Sequence, residues 1–427
     1  MADFDRVRVL WPDHLGIARG KYIPARHANR GTAHCAAVFA LGYDKDMTPA
    51  PGSYMLEGFP DVETEFSVDD IRPCWEDRTG VVVADLMFRG EPYAVSARGA
   101  LRRAIADWEA LGYSPKIGIE LEAYVMEPDG QGGWTPWNTP YAYVYSTGTI
   151  ADPVGLMDEI MRTAEASGIK VESINSEYFA PQFELTLEYD DALRAVDDAF
   201  LFKVLAREVA HKHGLHLTFM GRPFADRGGS GLHINMSLAD DSQPNALNDP
   251  STPDGLSALA KGCLAGLVGH HRGMTALCAP TVNAYKRLRP GELSGYWASW
   301  GHDHRCTANR VPSMRGNATR IENRLADAGA NIHLVAATVL QAARLGFVSG
   351  VECPGPETGD GLEDVCTDVH CAHNLAGALD DLEADTELVE AVGAELVANF
   401  VVIKRAEWDR FEAAVTDWEL KEYLPYL

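Results

Sequence analysis

Polar and apolar positions along the chain change rhythm near residue 95. Before it, short β-prone runs over residues 6–11, 20–23 and 80–87 are separated by turns such as Pro12-Asp13, and they predict strands. Apolar residues then return at helical spacing over residues 97–111, closed by Gly112. Beyond this helix the pattern alternates. Strands are predicted over 116–126, 183–188, 215–220 and 232–238. Helices are predicted over 153–167, from the Asp190-Asp191 pair to Lys212, over 255–277 and 332–349, and in two C-terminal segments. Neither repeats nor low-complexity linkers interrupt the pattern. The predicted class is α+β, with a sheet that carries carboxylates.

Composition narrows the partners. A chain of 427 residues has room for two or three domains, and 46% hydrophobic residues supply a sizeable core. Acidic residues outnumber basic ones 62 to 37, a formal charge of −25 that argues against nucleic-acid and anionic-membrane partners. The first residues are charged where a signal peptide needs an apolar core. No uninterrupted apolar run approaches the roughly 20 residues of a membrane span. Eight scattered cysteines do not make a disulfide framework, so a reducing, cytoplasmic setting is expected. Cys366, His370, Cys371 and His373 lack the second ligand doublet of a zinc site and read as a loop with incidental thiols.

Five blocks bear chemistry. In Gly118-Ile-Glu120-Leu-Glu122, strand alternation sends both glutamates to one face and Ile119, Leu121 and Ala123 to the other. Paired carboxylates repel unless a cation or a proton lies between them. Glu177 and Glu184 flank a second strand-like segment. A glycine-dense turn, Gly228-Gly-Ser-Gly231, delivers His233, Asn235 and Ser237 on one face of a strand. Arg320, Glu322 and Arg324 alternate likewise, and Lys286, Arg287, Arg305 and Arg310 form a basic series. Singly, each has an ordinary reading: a solvated face, a satisfied histidine, a salt-bridge ladder.

In order and spacing the five blocks resemble the glutamine synthetase family over nearly the whole chain. Asp13-His-Leu-Gly-Ile-Ala-Arg-Gly-Lys resembles its early loop, Asn283-Ala-Tyr-Lys-Arg-Leu-Arg-Pro-Gly its NSYKRLVPG segment, and Arg320-Ile-Glu322 its RIE strand. The resemblance implies a small N-terminal β-grasp-like domain, residues 1–94, and a large catalytic domain, residues 95–427, with a curved antiparallel half-barrel sheet and helices. It implies ATP-dependent joining of an amine to the γ-carboxylate of glutamate through γ-glutamyl phosphate. Two Mg²⁺ or Mn²⁺ ions are implied, one with Glu122, Glu177 and Glu184 and one with Glu120, His233 and Glu322. Arg305, Arg310 and Arg320 resemble the phosphate and transition-state arginines; Arg287, Arg324 and the Gly229 backbone resemble the glutamate contacts. Asn235, Ser237 and Arg320 fall where the family meets the nucleotide. Asp13 is implied to reach a neighbouring subunit's site in a hexamer or homododecamer.

The chain departs from the family pattern at the amine end. Members that use ammonia keep a glutamate shortly after the RLVPG segment, where this chain has Leu293, with Glu292 one residue early. Pro181 and Gly228 replace the usual glycine and asparagine, Asn235 replaces a histidine, and no adenylylation tyrosine lies near residue 366. The sequence therefore leaves three readings: a γ-glutamyl amide ligase for an organic amine, an ammonia-using glutamine synthetase, or a catalytically silent member.

Overall fold

The computed structural model describes residues 4–427. Eight short strands come first: β1 (Arg6–Pro12), β2 (Ala18–Pro24), β3 (Ala33–Cys35), β4 (Asp61–Glu65), β5 (Arg72–Pro73), β6 (Thr79–Val83), β7 (Asp85–Phe88) and β8 (Glu91–Pro92). They form two four-stranded sheets, ordered β2-β1-β6-β5 and β3-β4-β7-β8, with β1 antiparallel to β2 and parallel to β6. The apolar run 80–87, expected as one strand, is divided between the two sheets. Asp85 accounts for the break: its carboxylate turns to Arg102 and Arg98 on the following helix, so the chain leaves the first sheet at Ala84.

The remaining strands are β9 (Ser114–Pro128), β10 (Trp134–Pro136), β11 (Val171–Ser176), β12 (Gln182–Asp191), β13 (His216–Thr218), β14 (Leu232–Ala239), β15 (Trp300–His302), β16 (Asn309–Val311) and β17 (Ile321–Asn323). They make one nine-stranded sheet ordered β11-β12-β9-β14-β17-β16-β15, with β10 and β13 also on β9. The sheet departs from the antiparallel expectation only at its edge, where β15 and β16 run parallel.

Ten helices complete the chain: α1 (Ala97–Glu109), α2 (Leu156–Ala166), α3 (Ala192–Lys212), α4 (Ala258–Gly269), α5 (His271–Cys278), α6 (Ile332–Ser349), α7 (Leu375–Ala384), α8 (Thr386–Val392), α9 (Ala394–Glu412) and α10 (Asp417–Tyr423). The predicted helix 255–277 is two, because His270 leaves helical geometry and its ring turns to Asp385, 2.8 Å away. Asp191 precedes α3 as expected but does not cap it; its carboxylate pairs with Lys116 instead. The C-terminal region holds four helices where two were expected.

One face of the large sheet is apolar. Ile117, Ile119, Leu121 and Ala123 of β9 and Leu232, Ile234, Met236 and Leu238 of β14 are all buried, with α1, α3 and α6 against them. Among the described residues α6 alone is long and apolar enough to cross a membrane, yet 72% of it is buried inside the fold, so its composition is that of a core helix. It crosses α4 with no room to spare. A Cβ on Gly266 would lie 2.0 Å from the carbonyl oxygen of Ala342, and one on Gly346 would lie 2.1 Å from the amide nitrogen of Gly266.

That crossing generates a stability prediction. In an open helix, replacing glycine by alanine would stabilise by about 1 kcal/mol. Gly266→Ala must instead separate two packed helices, and overpacking of this kind costs about 1–3 kcal/mol. The expected outcome is a lower thermal midpoint than wild type, measured by calorimetry. A raised midpoint would contradict the crossing.

Candidate active site

Strand register assembles the polar face. Glu184 on β12 stands opposite Glu122 on β9. Thr186 stands opposite Glu120, and Glu120 opposite His233 on β14. A third row runs Gly118, Asn235, Glu322 and Arg310 across β9, β14, β17 and β16. Directly opposed residues share a face, so three rows bring four carboxylates, an imidazole and a guanidinium together above the apolar layer.

The contacts follow from that placement. His233 Nδ1 lies 3.0 Å from Glu120 and 3.8 Å from Glu322, and Nε2 lies 3.8 Å from Glu122. Two clusters have ligand atoms all within 4.8 Å of one another: Glu120, His233 and Glu322, and Glu122, Glu184 and His233. The first is the trio expected for one metal. The second gains His233 and omits Glu177, which stands near enough for the charge on Glu122 to act on it. Carboxylate oxygens with a single imidazole suit Mg²⁺ or Mn²⁺.

Cations inside the protein neutralise only part of this charge. Glu322 is 1% exposed and accepts from Arg310 Nη1 at 2.7 Å and from Arg324 Nη1. Burial works against its ionisation, but Arg324 and His233 outweigh burial and hold its carboxyl below the ordinary value. Burial likewise opposes Glu120, whose bonds from His233 and Asn235 nevertheless keep it near about 2. Glu184 has no such donor. Burial, and next the charge on Glu120, push its carboxyl up to about 7.

A cavity of about 230 Å³ opens beside the rows, lined by Gly118, Glu120, Asn235, Ser237 and Arg320 among others. Arg320 Nε donates to Asn235 Oδ1 at 3.1 Å, and Asn235 Nδ2 donates to Glu120 at 2.9 Å. The three residues expected at a nucleotide therefore line one chamber that reaches the carboxylates. On the other side, Gln182 Nε2 donates to the carbonyl of Gly229 at 2.9 Å. A Cβ on Gly229 would lie 2.7 Å from the Gly221 carbonyl and 2.8 Å from Arg287 Cγ, so this turn admits only glycine.

Residues 94–423 match the family model described as the glutamine synthetase catalytic domain. The chain belongs to the glutamine synthetase family. It is 32% identical to a glutamine synthetase of Thermotoga maritima over 78% of this chain and 77% of that one. It is 30% identical to a glutamate–isopropylamine ligase of a Pseudomonas species over 99% of this chain and 95% of that one. A solved structure described as apo GmaS without ligand superposes with a TM-score of 0.86 at 29% identity, covering 99% and 97% of the two chains. Glutamine synthetase family members are enzymes of the carboxylate–amine ligase type that use ATP and divalent metal ions, and the donor set described above fits such ions.

Two family-implied residues are tied into their own chain by several hydrogen bonds. Asp13 is fully buried within its own chain, where its carboxylate accepts from the amides of Leu15 and Ile17 at 2.9 Å and from Arg19 Nε at 2.8 Å. Its carbonyl takes Asn331 Nδ2 at 2.8 Å. A carboxylate with three donors holds this turn in a fixed shape. Arg287 is 5% exposed and spends both Nη atoms on the carbonyls of Arg324 and Leu325, at 3.0 Å each. It thereby holds the segment bearing Arg324. Arg324 keeps a buried Nε with no hydrogen-bond partner among the described residues. Arg305 is exposed and acts on Glu177 by charge.

Lys116, Thr186, Tyr189 and Met314 also line the 230 Å³ cavity and were not anticipated. For Lys116 and Thr186 the signal was present: they share strand parity with Glu120 and Glu184. Tyr189 and Met314 arrive from strand-end and loop positions that alternation does not reach.

Glu184 generates a pH prediction. Its carboxyl, at about 7, must lose a proton before it can hold a cation. Affinity for Mn²⁺ is therefore expected to rise as pH rises through about 7, with proton release on binding. Calorimetry in buffers of different ionisation heat checks this, and Glu184→Gln should flatten the pH dependence. Affinity independent of pH in the wild type would contradict the assignment.

Proposed function

We propose that this ligase forms a γ-glutamyl amide from glutamate and an organic amine, using ATP, with γ-glutamyl phosphate as the intermediate. The observation that carries the reading is at the amine end. Leu293 occupies the position where ammonia-using relatives keep a glutamate, and its side chain is 54% exposed. Glu292, one residue earlier, is held by Arg222 Nη1 at 2.8 Å. Arg222 is itself anchored, its amide donating to Asn283 Oδ1 and its Nη1 to the carbonyl of Lys286, both at 2.8 Å.

The chain's own groups have assignable parts. Glu120, His233 and Glu322 would hold one divalent ion, and Glu122 and Glu184, with Glu177 beside them, a second. Bound there, such ions neutralise and align phosphate and carboxylate oxygens. Asn235, Ser237 and Arg320 orient the nucleotide in their shared chamber. Arg310 and Arg305 offset the charge of the transferring phosphoryl group. Arg324 takes the glutamate carboxylate through its free Nε, and the Gly229 backbone lies beside it. The catalytically silent reading has little support, because every metal-type ligand is retained.

The family resemblance and the start of the family match at residue 94 support a β-grasp-like domain over 1–94 and a catalytic domain over 95–427. They also support assembly into a hexamer or homododecamer with sites at subunit boundaries, to which Asp13 would contribute from the N-terminal part. Sedimentation of active enzyme is expected to show such an assembly; an active monomer would refute it. All eight cysteines are free, in keeping with a cytoplasmic enzyme.

The deciding measurement is Mg²⁺-dependent ATP turnover with glutamate and either ammonia or a panel of primary amines. Each buried methylene favours an alkylamine by about 0.8 kcal/mol. The expected outcome is a higher kcat/KM for some alkyl- or hydroxyalkylamine than for ammonia. Leu293→Glu restores a negative group and is expected to shift the ratio toward ammonia by about tenfold. Ammonia exceeding every amine, with that activity lost in Glu292→Ala, would identify a glutamine synthetase instead.

A further inference from the structure

Next to the metal-type cluster lies a patch of rings that the phosphoryl-transfer roles leave unused. Tyr178 and Phe179 directly follow Glu177; they are 59% and 37% exposed, and their ring centroids lie 5.0 Å apart in a T-shaped pair. Tyr143 joins from the preceding loop, its ring 5.9 Å from that of Tyr178 and 61% exposed. The loop is built to present it. Ser176 is buried, and its hydroxyl donates to the carbonyls of Tyr143 and Ser146 at 2.8 and 2.9 Å. Tyr145 sits at φ +61°, and its amide N–H donates to the Ser176 carbonyl at 2.9 Å. Non-glycine residues in this left-handed region concentrate where surrounding structure enforces them for function. Ser176 ends β11 and Glu177 follows it, so one anchor fixes both the ring loop and the carboxylate.

The inner end of the patch meets the substrate turn. A Cβ on Gly228 would lie 3.0 Å from Phe179 Cδ2, so the missing side chain there lets the ring lie against the backbone. The carbonyl of Gly228 accepts from Tyr124 at 2.9 Å, and Gln182 ties the next residue to the same wall. Contiguous exposed aromatic surface marks a recognition site. Ring faces beside a carboxylate select a particular chemistry: an organic cation, attracted by the π faces and the negative charge together.

We propose that Tyr143, Tyr178 and Phe179 form the specificity subsite for the organic amine, receiving it as an alkylammonium ion whose carbon body lies on the rings beside Glu177. This rests on the γ-glutamyl amide reading and sharpens it, since ammonium has no carbon body to bring to the patch. The substrate class that follows is a primary amine with a chain or ring beyond its reactive nitrogen.

The test compares kcat/KM for the best primary amine of the panel with that for ammonia, in wild type and variants. Tyr178→Ala and Phe179→Ala are expected to lower the amine-to-ammonia ratio about tenfold each, mainly through the amine KM. Tyr178→Phe, which keeps the ring, should restore most of the ratio, and Tyr178→Leu, which keeps only apolar bulk, should not. Tyr141→Ala, an exposed ring outside these contacts, serves as the control and should leave the ratio in place. These side chains are at least partly exposed, and thermal midpoints close to wild type will establish that the variants fold. If the wild type uses organic amines but the ratio survives in both alanine variants, this subsite is wrong and the amide reading stands. Rescue by leucine equal to that by phenylalanine would also overturn the ring's role. Parallel loss with both amines and a smaller assembly would show the patch to be a subunit contact instead. A wild type that prefers ammonia to every organic amine overturns both proposals together.

Discussion

Four carboxylates on one face of one sheet repel one another, and this repulsion governs the site. Glu120 and Glu122 come from β9, Glu184 from β12 and Glu322 from β17; Glu322 is buried and the other three are half-buried. A fold keeps such a cluster only if the backbone is held from behind and the charge is offset in front. The apolar face of β9 and β14 supplies the first condition. Arg310, Arg324, His233 and Asn235 supply part of the second. The offset is uneven: Glu120 and Glu322 are held ionised by named donors, while Glu184 keeps its proton near neutrality. A site left short of positive charge by a definite margin is selective for cations of high charge density.

Much of this was legible in the sequence where the period-two rule applies. Glu120 with Glu122, and His233 with Asn235 and Ser237, fall on one face as alternation requires, and β17 adds Glu322. What escaped depends on single long-range contacts. Asp85 draws the chain from one sheet to the other toward Arg98 and Arg102, and Asp385 draws His270 out of helical geometry. No local pattern encodes these partners, which lie 13 and 17 residues from Asp85 and 115 from His270. Asp13 is a different case: the motif around it was recognised, but the three donors its carboxylate takes within the chain are not encoded in that motif.

The two ends of the site have different relations to the family. The acid and phosphate end is built from strand residues whose positions are fixed by register, and it keeps its ligand types. The proposed amine end draws on the 139–150 loop, the Glu177–Pro181 segment and the Glu292–Leu293 turn. Loop side chains can change without disturbing the sheet. A family that shares one phosphorylation chemistry and accepts different nucleophiles is expected to vary in this arrangement: rigid where anions must be aligned, permissive where the second substrate enters.

The strict alternation along β9 also has a bearing on genetics. Deleting or inserting one residue within Lys116–Ala123 would rotate every later side chain to the opposite face, placing glutamates in the core and isoleucine or leucine in the site. Such a frame-preserving lesion would not leave a stable but inactive protein; it would remove the core and the chemistry at once. Single-codon deletions in this strand should therefore vanish from the soluble fraction of cells, whereas point substitutions of the glutamates should persist there as folded, inactive protein.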